Sequence, residues 1–157
     1  MLEILISKPV LIGFHLAFAI VGIDAFLWLL GEIKNNSWRK TRLYWSAIVG
    51  VLAFVLSWLT GGYYYVRYYG DLVKPIIKSG LAPWAHNIIM ETKEHIFLFI
   101  IPLALTALFI TFLDKKEFEE LNIKRVSMVF VLLIVGLGLL IGAMGFIISA
   151  AARWGVK

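Results

Sequence analysis

Residues 126–152, VSMVFVLLIVGLGLLIGAMGFIISAAA, form an uninterrupted run without a charged side chain. A helix needs about 20 apolar residues to cross the ~30 Å hydrocarbon core of a bilayer. This run is long enough, and it is continuously apolar rather than alternating, which argues against a transmembrane strand. The stretch therefore predicts a membrane-spanning helix, and the number of similar runs determines the rest of the fold.

Three more largely apolar segments precede it: 9–30, which is interrupted by His15 and Asp24, then 43–66 and 83–113. The third combines a polar start with the uncharged run 96–113, and Pro83 is well suited to a first helical position. The longest polar stretch, 67–94, is too short to bury a core of its own. We therefore expect one domain over 1–157, an all-α antiparallel bundle of four transmembrane helices with a long outer loop between helices 2 and 3.

The composition supports a membrane protein and excludes several function classes. Hydrophobic residues make up 61% of the chain and the mean hydropathy is +0.89, whereas soluble domains average about 45–50% apolar residues. There is no cysteine, which excludes disulfides, thiolate metal sites and haem linked through cysteine. The sequence contains no nucleotide-binding motif or catalytic serine arrangement. The net charge of +5 lies at the membrane edges and does not indicate nucleic acid binding.

The distribution of basic residues predicts the orientation. Short cytoplasmic loops are enriched in lysine and arginine. Eight such residues fall in the two short connections: Lys34, Arg39, Lys40, Arg42, Lys115, Lys116, Lys124 and Arg125. This favours a multi-pass protein of the cell membrane with those two loops inside and both termini outside.

The histidines are the most informative polar residues. His15 lies within the first apolar segment, and His86 and His95 lie near the start of the third. Antiparallel threading brings all three to one end of the bundle. Ionisable groups in a membrane are costly and are functional candidates.

Helical spacing suggests how these residues combine. Asn87, Glu91 and His95 are four apart and are expected to stack on one face, whereas His86 and Glu94 lie on a neighbouring face. Two histidines on facing helices, His15 and His95, are typical axial ligands of a b-type haem.

Two kinds of cofactor site fit this set. In a haem site, Arg67 and Arg153 are expected to hold the propionates. In a site for a divalent or transition metal ion, the ligands are His15, Glu91 and His95, joined by Glu94 or His86. The layout resembles small four-helix membrane cytochromes b in architecture only. Because all three histidines lie at one end of the bundle, we expect one haem at most, together with a redox partner.

A second class of function stays open. Charged residues are common where a helix leaves the membrane, and His15 is also suited to a structural hydrogen bond. In that reading the chain is a non-catalytic subunit, or a module that binds or transports a small solute, and the His/Glu/Tyr cluster is a structural network or a ligand pocket. The sequence does not decide whether the chain is an enzyme.

Two further features lie outside the histidine cluster. Asp24 is a candidate proton relay, or a hydrogen-bonded residue packed against a neighbouring helix. Gly138 and Gly142 form a small-x-x-x-small pattern, which indicates helix packing within the bundle, a homodimer face or a flat groove.

The orientation leads to a test. A cysteine introduced as Lys40→Cys should resist a membrane-impermeant thiol reagent added to intact cells, because its loop is predicted to be cytoplasmic. Labelling from outside would reverse the assignment. Leu81→Cys, in the connection on the opposite side, is the matched position that should be labelled.

Overall fold

The computed structural model describes residues 2–35 and 38–154, and the regular elements within these ranges are helical. The α-helices are α1 Leu2–Leu5, α2 Lys8–Lys34, α3 Lys40–Tyr64, α4 Lys74–Ser79, α5 Glu91–Ile110, α6 Lys115–Glu120 and α7 Lys124–Trp154, and two π-helical segments cover Tyr65–Val73 and Ala85–Met90. Four helical stretches are long and apolar enough to cross a membrane: Lys8–Lys34, Lys40–Ser79, Ala85–Ile110 and Lys124–Trp154. The sequence predicted four spans, and the described residues contain four helices with the length and hydropathy that a span requires.

The contact between α2 and α3 is built from two glycines and two phenylalanines. The rings of Phe26 and Phe54 stack with their centroids 5.5 Å apart. A Cβ atom on Gly22 would lie 2.6 Å from the Phe54 ring, and one on Gly50 would lie 2.6 Å from the Phe26 ring. Each ring therefore occupies the space left by the glycine of the other helix, and both rings are buried.

Helix α7 joins this contact through Gly138. A Cβ atom there would lie 2.9 Å from Ile23 Cγ1 and 3.8 Å from Phe54 Cζ. Gly142, in contrast, is exposed and meets nothing within 4 Å. The two glycines do not share one open face, because Gly138 is covered by α2.

The chain after α3 differs from the predicted loop. Helix continues through the first π-helical segment into α4. Tyr69, Val73 and Ile77 are four apart and buried, and they pack with the start of the third span and the end of the fourth. The expectation of a long loop was wrong: Pro75 is the second residue of α4, which directly follows the π-helical segment, and Gly80 comes only after α4 has ended at Ser79.

The third span also departs from the α-helical prediction for 83–113. It begins with the second π-helical segment, and α5 ends at Ile110. A π-turn bonds residues five apart instead of four. This changes which side chains stack at the start of the span, with consequences for the site described below.

The other end of the molecule is held by polar contacts between helix ends. Lys124 Nζ donates to the Lys34 carbonyl oxygen at 3.1 Å. Arg42 and Glu32 form an ion pair at 3.6 Å. Helix α6 begins with a capping box in which Asp114 and Glu117 each accept from the other's backbone N–H.

The ring and glycine contact predicts a stability difference. Gly50→Ala should lower the stability of the folded protein in detergent by about 1–3 kcal/mol, because the added methyl group forces the buried Phe26 ring to move. Thermal unfolding followed by circular dichroism measures this. Gly136→Ala is the control, since a Cβ atom there meets nothing within 4 Å. Equal effects of both substitutions would contradict the packing described.

Candidate functional site: ionisable side chains at one end of the molecule

The site lies where α2 begins, α3 ends, the third span begins and α7 ends; we call this the histidine end. His15 of α2 is partly buried there against α3. Its Nδ1 lies 2.8 Å from the Ser57 carbonyl oxygen, and Ser57 Oγ donates to the His15 carbonyl at 3.0 Å. Because a carbonyl oxygen only accepts, Nδ1 carries the proton, and in the neutral ring Nε2 keeps its lone pair.

Gly61 makes room for this imidazole. A Cβ atom at Gly61 would lie 2.6 Å from His15 Nδ1. The ring also meets Phe97 edge-on, with centroids 6.4 Å apart. His15 therefore joins α2, α3 and α5 at one point.

His86 forms the second polar centre and is 3% exposed. Its Nδ1 lies 3.0 Å from the Tyr69 hydroxyl, and its Nε2 lies 3.8 Å from Glu91 Oε1. If the Tyr69 hydroxyl donates to Nδ1, the ring proton is on Nε2 and faces Glu91. Glu91 is half exposed, so this pair connects a buried imidazole to the surface of the molecule.

Lys93 and Glu94 lie between these two centres. Lys93 is partly buried, interacts electrostatically with His15 and Glu94, and its Nζ would lie 3.7 Å from a Cβ atom on Gly145 of α7. The Glu94 carboxylate interacts with the Tyr65 hydroxyl. Its Oε1 atom is buried and has no hydrogen-bond partner within the described part of the chain.

The tyrosine rings complete the connection. Tyr65 and Tyr69 stack with centroids 5.1 Å apart. Tyr65 interacts with Glu94, and Tyr69 bonds to His86. We call the whole set the polar cluster; its members are His15, Tyr65, Tyr69, His86, Glu91, Lys93 and Glu94.

His95 does not take the place that the sequence suggested. It is exposed, and its Nδ1 donates to the Glu91 carbonyl oxygen of its own helix. Phe97 is the residue of α5 that meets His15, and His95 lies two residues earlier, almost opposite on the helix. The structure therefore does not bring His15 and His95 together, which corrects the expected approach of these rings.

The expected metal ligands are also not gathered in one place. Within residues 2–35 and 38–154, no group of three or more His, Asp or Glu side chains is arranged to hold a metal ion. Glu91 turns its side chain toward His86, not His95. The haem and metal assignments thus stay predictions, with no pair of facing histidines or ligand group in the described structure to support them.

The two arginines proposed for haem propionates lie on the surface. Arg67 is exposed, with its guanidinium carbon 5.9 Å from the centre of the Tyr68 ring. Arg153 is exposed near the end of α7. A cavity of about 360 Å³ lies at the other end of the molecule and is lined by Lys40, Thr41, Tyr44, Thr111 and Phe112.

Asp24 is separate from the polar cluster. It is exposed on α2, and no described residue forms a hydrogen bond or ion pair with it. The exposed position of Asp24 does not support the predicted proton relay from Asp24 to His15 through the interior of the bundle.

Comparison of the chain with protein-family models, curated proteins and solved structures gave no match.

Sequence reasoning missed Lys93 and Ser57 as members of the site. Lys93 is of a residue type that is common where a helix leaves the membrane, although its side chain extends toward Gly145 of α7. One signal was available: glycines at positions 61 and 145 leave space beside His15 and Lys93. Ser57 gave no such signal, because a serine in an apolar segment commonly bonds to its own helix.

The buried pair of Tyr69 and His86 predicts a measurable effect. Tyr69→Phe should destabilise the protein by about 1–3 kcal/mol, because a buried imidazole nitrogen loses its partner. Thermal unfolding in detergent measures the change. Tyr63→Phe is the matched control, since Tyr63 is exposed; an equal shift for both variants would show that the hydrogen bond has no net effect.

Proposed function

We propose that this chain is a multi-pass membrane protein, threaded as an antiparallel four-helix bundle, whose histidine end is a one-sided acid–base site. In this proposal the polar cluster binds protons and small polar ligands from the aqueous phase at that face. The face is the outer one if the predicted orientation holds. The protein is then a binding module, the second of the two classes left open by the sequence.

The observation that carries the proposal is the continuity of the polar cluster. Direct contacts join the half-exposed Glu91 to His86, His86 to Tyr69 and Tyr69 to Tyr65. Electrostatic interactions extend the set from Tyr65 to Glu94, from Glu94 to Lys93 and from Lys93 to His15. Seven groups that donate or accept protons are more than a helix end needs for solvation. Perturbed and interacting ionisable groups are typical of functional sites.

Glu94 is the centre of this site. Its buried Oε1 lacks a hydrogen-bond partner among the described residues, and a buried carboxylate oxygen without a donor is costly. A ligand that donates a hydrogen bond to Oε1 would satisfy this atom, and a proton on the carboxyl group would remove its charge. Lys93 and the Tyr65 hydroxyl supply complementary groups on either side.

The rest of the core favours binding over transport. Within the described ranges, the fully buried polar residues are Ser57, His86, Thr111 and Ser127. Thr111 and Ser127 lie near the other end, and the buried residues between the two ends are apolar, including Phe26, Ile100 and Ile134. Proton transfer needs polar groups or water along its path, so we place no crossing step in the mechanism.

A single haem or metal ion bound through His15 is the second candidate. Metal-bound histidines usually donate the other ring N–H to a carbonyl or carboxylate. His15 has this arrangement, since Nδ1–H is used by Ser57 and Nε2 is left for a ligand. His95 would not supply a second ligand to such a group, because it is exposed and bonded to its own helix.

The acid–base proposal is tested by infrared difference spectroscopy over a pH titration in proteoliposomes. Wild-type protein should show a carboxyl C=O band of a desolvated group, which exchanges slowly with deuterium, and Glu94→Gln should abolish it. Glu120→Gln, at an exposed residue of α6, should leave that band unchanged. A wild-type spectrum without the band, or a band that survives Glu94→Gln, would refute the assignment.

The same sample decides between the candidates. A pH-sensitive dye inside the vesicles should report no proton flux that depends on the protein. If the protein does carry a proton flux and Glu94→Gln abolishes it, the proposed function changes from a binding module to a proton conductor. A visible haem spectrum or stoichiometric metal that is lost in His15→Ala would favour the second candidate.

A further inference from the structure

Asp24 stands in an unusual place for a carboxylate. It is sixteen residues after Lys8 and ten before Lys34, the two ends of α2. At 1.5 Å per residue these separations are about 24 Å and 15 Å, which places Asp24 inside a ~30 Å hydrocarbon core. Its side chain is too short to reach the interface.

The surroundings of Asp24 within one copy do not satisfy it. The residue is exposed, and none of the described residues forms a hydrogen bond or ion pair with it. Ionisable residues in membrane helices almost always face a protein interior or a water-filled cavity and pair with another group. A lipid-exposed, unpaired Asp24 therefore indicates that another helix covers this face.

The same face carries a donor that matches the acceptor. Trp28 follows Asp24 by one turn and is 60% exposed, and its indole N–H is a donor only. Side chains on a helix lean toward its N-terminus, so the indole leans toward the level of Asp24. A face that holds both an acceptor and a donor is self-complementary, as a two-fold interface requires.

The remaining residues of the face permit close approach of a second helix. Gly13 and Gly31 lie on it, and a Cβ atom on either would meet nothing within 4 Å. Packing within one copy does not explain these glycines. Small residues are enriched where membrane helices pack closely.

We propose that this face of α2 binds the same face of a second copy of the chain, across a two-fold axis along the membrane normal. In this dimer each Asp24 carboxylate accepts from the indole N–H of the partner's Trp28. The contact surface, which we call the Asp24 face, consists of Gly13, Ala17, Ile20, Asp24, Trp28 and Gly31.

The absence of cysteine from the chain allows a direct test by disulfide crosslinking in native membranes. Ala17→Cys should form crosslinked dimers, because Ala17 lies on the Asp24 face near the proposed axis. Leu139→Cys, at an exposed position of α7, should crosslink only at the background level. Equal crosslinking at both positions would overturn the proposal.

Second substitutions test the bond itself. In the Ala17→Cys background, Asp24→Leu and Trp28→Phe should each reduce crosslinking by roughly tenfold, given the size of hydrogen bonds between membrane helices. Asp24→Asn, which keeps an acceptor, should retain most of it. If Asp24→Leu leaves crosslinking unchanged, the role of the carboxylate is refuted. If Ala17→Cys gives only monomer, the proposed second copy is rejected and the Asp24 face is assigned to a different protein.

Discussion

The stacked rings of Phe26 and Phe54 are the contact on which the bundle depends. Lipid tails are as apolar as the side chains, so the hydrophobic effect does not drive membrane helices together, and close packing must do so. The rings lie over Gly50 and Gly22, and Gly138 of α7 meets the tip of the Phe54 ring. Three helices are thereby fixed at one level, and Ser57, three residues after Phe54, is held in register with His15.

The four spans could be predicted because a long uncharged run has few possible structures other than a membrane helix. The two π-helical segments could not be predicted. Neither Tyr65–Val73 nor Ala85–Met90 has a composition that separates a π-turn from an α-turn. A π-turn bonds residues five apart, and the side chains that pack against these segments come from other helices, which a local pattern does not contain. The helical character after Tyr65 had one readable signal, the spacing of Tyr69, Val73 and Ile77, which Pro75 obscured.

The same shift explains why only part of the site was predicted. His15 was identified because a lone imidazole in an apolar segment requires a partner, and the structure supplies Ser57. The four-residue spacing of an α-helix predicted that Glu91 pairs with His95. The π-turn instead places Glu91 beside His86, which is five residues away. His95 lies in the α-helical α5 and bonds to its own helix, while Phe97 takes the position facing His15, so the two-histidine arrangement failed on which face of α5 meets α2.

Helix α2 presents its two ionisable residues to different surroundings. His15 and Asp24 are nine residues apart, which at 3.6 residues per turn is a half-integral number of turns and places them on opposite sides. His15 shares its side with Phe26 and contacts α3, while Asp24 faces away from the bundle. A second copy bound at the Asp24 face would therefore leave the polar cluster uncovered. Under these two proposals, assembly and the acid–base site use separate faces of α2, so substitutions at Asp24 are expected to change association without changing the environment of Glu94.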